Sequence, residues 1–413
     1  MGRTSLLMVL GFNIIFAATG YTISNVASWA YQNYINYYNQ SVAKQIAESA
    51  ANLASSNITM TPNWRDGYSN VSFNGGTFSV TCISTAADSG RVHVCVSATY
   101  SGVTSVDSIL LGLTKFSKFA YFSNVEGGIN WATGDTVFGP FHSQDKLTVN
   151  GSPVFEGKTS SLLGYTKSPS SSTPQFLGGF ESGVNIPLPA SFNNMDSIAQ
   201  NGGYWLHGKT DVYITLQRNG TVAFRYSAWT VAPFKVMKID SLPFNRVVAV
   251  DSCNVHIRGI LMGQLTIACT QKVVSTSKAG NIWLDSSVVC NTDPLKTDSS
   301  SDMLGLVCDN GIWIKDTAYQ NIPANGFTIQ ASMLSRTSGF GAENYDSRPV
   351  AGQINMLGGI QQYQRQAVGQ LGGTPQHVVN GFGKNYRYDN RLLINSPPFY
   401  PTTGTYEVLT WYE

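Results

Sequence analysis

Six cysteines carry the most specific chemistry in the sequence. They fall in three locally spaced couples, Cys82 with Cys95, Cys253 with Cys269, and Cys290 with Cys308. None lies in a CxxC or a Cys/His zinc spacing. We therefore predict the disulfides 82–95, 253–269 and 290–308, of which the first would close a hairpin between two alternating strands. Buried free thiols are the alternative, because unpaired cysteine is often buried.

Histidines could serve as metal ligands or as general bases. The five of them, His93, His142, His207, His256 and His377, are scattered, without Glu or Cys at metal-ligand spacing. The sequence has no HExxH, GxSxG or P-loop motif and no complete GxGxxG. We expect no metal and no cofactor.

Four aspartates follow or precede successive apolar segments: Asp251, Asp285, Asp309 and Asp316. On one face of a β structure they could act as paired carboxylates, as in glycosidases. Aspartate more often caps turns, and this interpretation is preferred. We therefore expect no enzymatic activity.

Composition limits the class of protein. Charged residues make up 12% of the 413 residues, about half of the ~25% of an average globular protein. The net charge of +2 provides no basic field, so nucleic acid is not an expected partner. Aromatic residues at 12% indicate a packed protein, and the weakly charged surface suits an extracellular or assembled β protein.

The N-terminal segment has the pattern of one long helix that precedes the rest of the chain. No charged residue occurs from Thr4 to Ala43, and no proline precedes Pro62. This pattern predicts one helix over residues 4–54, roughly 75 Å long and about twice what a bilayer requires. Its first half is apolar all round, whereas its second half has an apolar stripe on one side.

Three interpretations of this helix are open: a cleaved signal peptide, a plain signal anchor, and a pilin-like assembly helix. The third gives both halves a purpose, because the apolar half can lie in the membrane and later pack against copies of itself while the amphipathic half cradles a globular head. The expected assembly residues are Leu7, Phe12, Ile15, Phe16, Val26, Trp29, Ile35 and Val42.

The segments MGRTSLLMVLGF, AKQIAESAANLA, VFGPFHSQDKLTVNGSPVFEGKTSS and NVHIRGILMGQLTIACTQ resemble large bacterial pilin-like proteins, related in layout to type IV pilus-associated PilX-type proteins. The resemblance implies leader processing between Gly2 and Arg3. Counted from Arg3, the fifth residue is Leu7, where pilins usually carry glutamate. It also implies that the partners are copies of the chain in a homopolymeric filament and the inner membrane for the precursor. Surface glycans are a further expected partner.

After the helix we expect two more parts, a small β-rich domain with a connector over residues 56–134 and a β-solenoid-like body over residues 135–413. Short apolar segments recur in the body, and NVHI, NIWL and GIWI are 27 and 30 residues apart. This recurrence favours a right-handed parallel β-helix, with a β-sandwich as the alternative. Asn219–Gly220 predicts a tight hairpin turn.

The expected fold is therefore mainly β, with a long N-terminal α-helix, a small β domain and an elongated solenoid. The expected function is a pilin-like subunit of an extracellular cell-surface filament, made as a membrane-anchored precursor. The alternative is a membrane-anchored β-helical surface protein that binds carbohydrate or cleaves polysaccharide. We also expect the body to fold without the first 55 residues.

Overall fold

The computed structural model describes residues 2–84, 90–207, 211–241, 243–271, 279–297, 299–373 and 377–412. The chain forms two compact units, Met1–Thr114 with Gly404–Glu413, and Lys115–Thr403. The first unit joins the end of the long helix to the small β segment, because both contribute to one hydrophobic core. The three-part division at residues 55 and 134 stays a prediction.

In its described residues the first unit comprises a long helix and a five-stranded sheet. Helix α1 spans Gly2–Met60, which confirms the predicted long helix. The strands are β1 Tyr68–Phe73, β2 Gly76–Ile83, β3 Arg91–Tyr100, β4 Val103–Lys115 and the C-terminal strand Thr402–Tyr412, in that order across the sheet. β1 to β4 form an antiparallel meander. Asn74 and Gly75, both at positive φ, make the tight β1–β2 turn.

The second unit is built from short strands. In chain order they are β5 Tyr121–Val125, β6 Trp131–Ala132, β7 Thr136–Val137, β8 Phe141–Ser143, β9 Leu147–Asn150, β10 Val154–Phe155, β11 Thr159–Ser161, β12 Tyr165–Lys167, β13 Gln175–Phe176, β14 Phe180–Ser182, β15 Tyr204–His207, β16 Val212–Gln217, β17 Thr221–Tyr226, β18 Lys235–Lys238, β19 Val247–Asp251, β20 Val255–Leu261, β21 Gln264–Thr270, β22 Ile282–Cys290, β23 Met303–Cys308, β24 Ile312–Ile314, β25 Phe327–Ser335, β26 Phe340–Ala342, β27 Val350–Gln364, β28 Gly369–Gly372 and β29 His377–Arg387. One α-helix, α2, spans Asn193–Gln200. Short 3₁₀ helices in the described part of this unit span Phe116–Lys118, Pro323–Asn325 and Asn390–Leu393.

Most of these strands pair in parallel with their equivalents in the next turn, which is the arrangement of a β-solenoid. The longest stack has the order β15, β19, β21, β23, β25, β27, β5, β8, β11, β14. Parallel pairing of this kind excludes the antiparallel sandwich for this unit. The handedness of the coil stays a prediction.

The order of the stack differs from the order of the chain. β5 lies in the middle and the chain coils from it to β14 at one end. Residues 183–203 then lead to β15 at the other end, and the chain coils back until β27 pairs with β5. Two separate runs of turns therefore meet at a seam between β27 and β5.

The segment that joins the two runs covers one side of the stack. Phe192, Met195 and Ala199, in and just before α2, pack with Val247 and Ala268. Strands β19 and β23 are consequently buried at every position. Burial on both faces explains why these strands are almost continuously apolar in sequence.

Two sequence patterns have a direct structural counterpart. Val255, Ile282 and Ile312 of NVHI, NIWL and GIWI are stacked in register on β20, β22 and β24, as their recurrence predicted. The chain also reverses at Asn219–Gly220 between the antiparallel strands β16 and β17, with Gly220 at a φ of 74°. Both predictions are confirmed.

Candidate functional site

The last part of α1 is fixed in the core of the first unit. Its buried residues are Ala43, Ile46, Ala47, Ala50, Ala51, Ala54 and Ile58. The alanines let the helix backbone approach the sheet closely, and the core is completed by apolar side chains of β2, β3 and β4. The contact between α1 and the sheet begins near Tyr38, whose ring lies edge-on to that of Tyr100 with 6.4 Å between the ring centroids.

The preceding part of α1 has exposed apolar side chains. Those between 53 and 74% exposed include Leu6, Leu7, Met8, Val9, Leu10, Phe12, Ile14, Ile15, Phe16, Tyr21, Ile23, Val26 and Trp29. About 40 residues of bare helix correspond to roughly 60 Å. The helix is long and apolar enough to cross a membrane, and the apolar window that meets this criterion is not buried at all.

The predicted assembly residues divide into two groups. Leu7, Phe12, Ile15, Phe16, Val26 and Trp29 are exposed. Ile35 is partly exposed, and Val42 packs against the core of the first unit. Within one chain the contact with the folded head therefore starts only near the end of this set, and the role of these residues in assembly stays a prediction. The sequence signal that marks the contact is the later spacing of small residues, alanine at positions 43, 47, 50 and 54, which repeats on one helix face.

Gly2 and Arg3 form the exposed start of α1. Arg3 is the only charged residue before Lys44. The exposed helix therefore carries no carboxylate that would need a partner in an apolar environment. Leader processing between Gly2 and Arg3 stays a prediction.

The cysteines do not form the predicted bridges, because all six are free thiols in the structure. In the first unit, Cys82 lies opposite Val94 and Cys95 lies opposite Thr81. Since directly opposed residues share a face and neighbours along a strand alternate, the two thiols point to opposite faces of the sheet. A hairpin alone cannot bring them together.

In the second unit the two cysteines that lie side by side are not one of the predicted pairs. Cys269 lies beside Cys308 on adjacent strands. The Cys269 thiol donates to the carbonyl oxygen of Cys253 at 3.1 Å, while Cys290 lies in register with Leu261. Burial raises the pKa of the Cys290 thiol to about 12 and that of Cys269 well above its usual value. These thiols are suited to packing and not to nucleophilic chemistry.

All five histidines lie in strands, and the candidate aspartates have structural partners. Asp251 bonds to His207 at 2.8 Å, and Asp285 bonds to His256 at 2.9 Å. Asp309 pairs with Arg336, and Asp316 accepts bonds from Asn321 and Asn344. The other three histidines lie in β3 (His93), in β8 (His142) and at the start of β29 (His377). In the described part of the chain no three His, Cys, Asp or Glu residues could together hold a metal ion.

Comparison with solved structures finds a similarity to a known pilin. No family model and no curated protein matches the chain. The crystal structure of the competence-associated pilin ComZ from Thermus thermophilus is similar with a TM-score of 0.42 and 11% sequence identity. The match covers 91% of this chain and 96% of that one. At this TM-score no residue correspondence follows from the likeness.

Proposed function

We propose that the chain is a pilin-like structural subunit of an extracellular cell-surface filament. Its bare helix holds the precursor in the membrane and then packs among the helices of other copies. The observation that supports this function is the continuity of α1. One uninterrupted helix is rooted in the core of a folded head at Ala43–Ile58 and presents apolar side chains over the rest of its length.

Burial of apolar surface favours moving the bare part of α1 out of water, first into the membrane and then into contact with the helices of other copies. Removing a large apolar side chain from water stabilises it by about 1.5–3 kcal/mol, so a long row of such side chains is strongly driven out of water. A bilayer core of about 30 Å accommodates roughly half of the bare helix. A plain membrane anchor therefore explains Leu6–Phe16 but not the exposed Val26 and Trp29, which packing between copies would cover.

The test compares two lysine substitutions in the full chain. Ile15→Lys places a charge in the lipid-embedded or helix-packed region, where it costs about 2.5–3.5 kcal/mol at a membrane centre. Gln40→Lys adds the same charge at an exposed polar position near the head. Negative-stain imaging of cells should show filaments with the control and none with Ile15→Lys. Wild-type filament yield from Ile15→Lys would refute the proposal.

A further inference from the structure

The seam between the two runs of turns leaves an opening in the solenoid wall. On one side of the seam β29 pairs with β27, and on the other side β7 pairs with β10. Among the described residues no strand pairing joins β29 to β7. A cleft of about 260 Å³ lies between them. It is present because the two runs join through β27 and β5 on one face only.

Residues that would normally be interior line the floor of this cleft. Tyr121, Trp131, Phe340, Met356 and Ile360 belong to the main apolar core and also line the opening. A bound molecule could therefore contact apolar and aromatic groups without any change in the strands.

The rim of the cleft is cationic. Lys384 and Arg387 line it, are exposed, and lie three residues apart on β29. Neither forms an ion pair within 4.0 Å with another residue of the described ranges. Asp135 is the only carboxylate among the lining residues. With two cations at the rim and one carboxylate in the lining, the cleft favours an anion.

A third cation in the wall is already engaged. The Arg365 guanidinium lies over the Trp131 ring at 4.2 Å and 3.8 Å from the buried Glu126 carboxylate. Glu126 in turn accepts a bond from the Trp131 indole N–H at 2.9 Å. This group holds Trp131 in place and leaves Lys384 and Arg387 to meet a ligand.

Groups that bond hydroxyls and stack on sugar rings complete the lining. The Gln366 and Asn385 amides face the cleft, and the Phe138 ring at its edge is 46% exposed. Asn385 donates to Asn355 at 2.7 Å, which leaves its carbonyl oxygen as an acceptor. Carboxylate, hydroxyl and pyranose-ring recognition are thus provided side by side.

Gln366 also lines a second, open hollow of about 420 Å³ next to the cleft. Trp283 and Trp313, in register on β22 and β24, form part of that hollow. Two adjoining hollows that share a residue suit a chain of several sugar units better than a single small anion.

We propose that the seam cleft binds an acidic oligosaccharide, with a uronate carboxylate at Lys384 and Arg387 and neighbouring sugar units extending toward Trp283 and Trp313. This site would give the proposed filament a glycan-binding surface. It stands independently of filament assembly, because all of its residues lie in the second unit.

Binding should be measured by calorimetry on the full chain in detergent, with a uronate tetrasaccharide, a neutral tetrasaccharide of the same linkage, and sodium sulfate as probes. The rim variant is Lys384→Ala/Arg387→Ala. Its matched control is Lys235→Ala/Lys238→Ala, two exposed cations with the same spacing on β18. We expect the uronate sugar to bind, the rim variant to weaken binding at least tenfold, and the control to bind like the wild type.

Three outcomes would overturn the proposal: no uronate binding, equal affinity for the neutral sugar, or equal loss in the control pair. Displacement by sulfate at concentrations matching the sugar would also overturn it, since the cleft would then be a general anion site. Filament yield is scored separately with the same variants, so loss of sugar binding with filaments intact leaves the proposed assembly function untouched.

Discussion

Ile360 of β27 lies in register beside Tyr121 of β5, 239 positions earlier in the chain. The Ile360 N–H donates to the Ala120 carbonyl oxygen at 3.0 Å. This pair joins the last turns of the second run to the first turn of the first run. The stability of both runs should therefore depend on a contact that neither run can form alone.

Ile360→Ala should lower the free energy of unfolding of the second unit by about 2–5 kcal/mol, as buried Ile→Ala substitutions do. Hydrogen exchange in β5 to β14 should increase, because their parallel neighbour is loosened. Val350→Ala on the same strand is the control, since Val350 is 40% exposed and its loss should change stability by less than about 0.5 kcal/mol. Equal losses of unfolding free energy in the two variants would show that the β27–β5 contact contributes no more to stability than an exposed position on the same strand.

Truncation should reveal where the head begins. The expectation that the body, residues 135–413, folds without the first 55 residues stays a prediction. The first unit should not fold without them, because a chain starting at Ser56 lacks most of the buried helix face between Ala43 and Ala54. We expect a chain starting at Asn36 to be soluble and folded in both units. The chain starting at Ser56 should lose the near-ultraviolet signal and protease resistance of the first unit. Equal resistance of the first unit in the two truncations would contradict this placement.

Because His142 is buried, the free energy of unfolding should decrease in mild acid. Burial lowers its pKa from the usual 6.5 to about 4, against the opposing hydrogen bond to Gln144. Between these two values the unfolded chain binds a proton that the folded chain does not, so the free energy of unfolding decreases as the pH falls from 6.5 to 4. The loss is about 3 kcal/mol over that range.

The measurement is chemical denaturation at several pH values. His142→Gln should flatten the dependence between pH 4 and 6.5, since glutamine does not titrate, whereas substitution of the exposed His93 by Gln should leave it unchanged. An unaltered slope in His142→Gln would show that another group is responsible.

The cysteines should behave as free thiols. Alkylation with iodoacetamide in guanidinium without reductant should add a label to all six. Under native conditions Cys269 and Cys308 should react slowly, because both are fully buried and burial raises their thiol pKa. Peptides joined as 82–95, 253–269 or 290–308 in a non-reduced digest would contradict the free thiols and support the bridges predicted from spacing.

The sequence by itself determined the elements whose signals are local. The uncharged, proline-free run of about 40 residues, apolar all round in its first half, predicts a long helix with an apolar surface, and the recurrence of NVHI, NIWL and GIWI marks strands that stack in parallel. The Asn219–Gly220 turn follows from the left-handed backbone that glycine adopts without strain. Each of these depends on residues that are close together or regularly spaced.

Only the tertiary structure decided which distant residues meet. No local pattern in β5 or β27 encodes that Tyr121 pairs with Ile360, since any apolar strand of suitable length fits the stack. The cleft beside Lys384 depends on that seam, so its residues have no motif in the sequence. The cysteine bridges failed for the same reason: spacing gives a short loop, but strand register decides that Cys82 and Cys95 lie on opposite faces of the sheet.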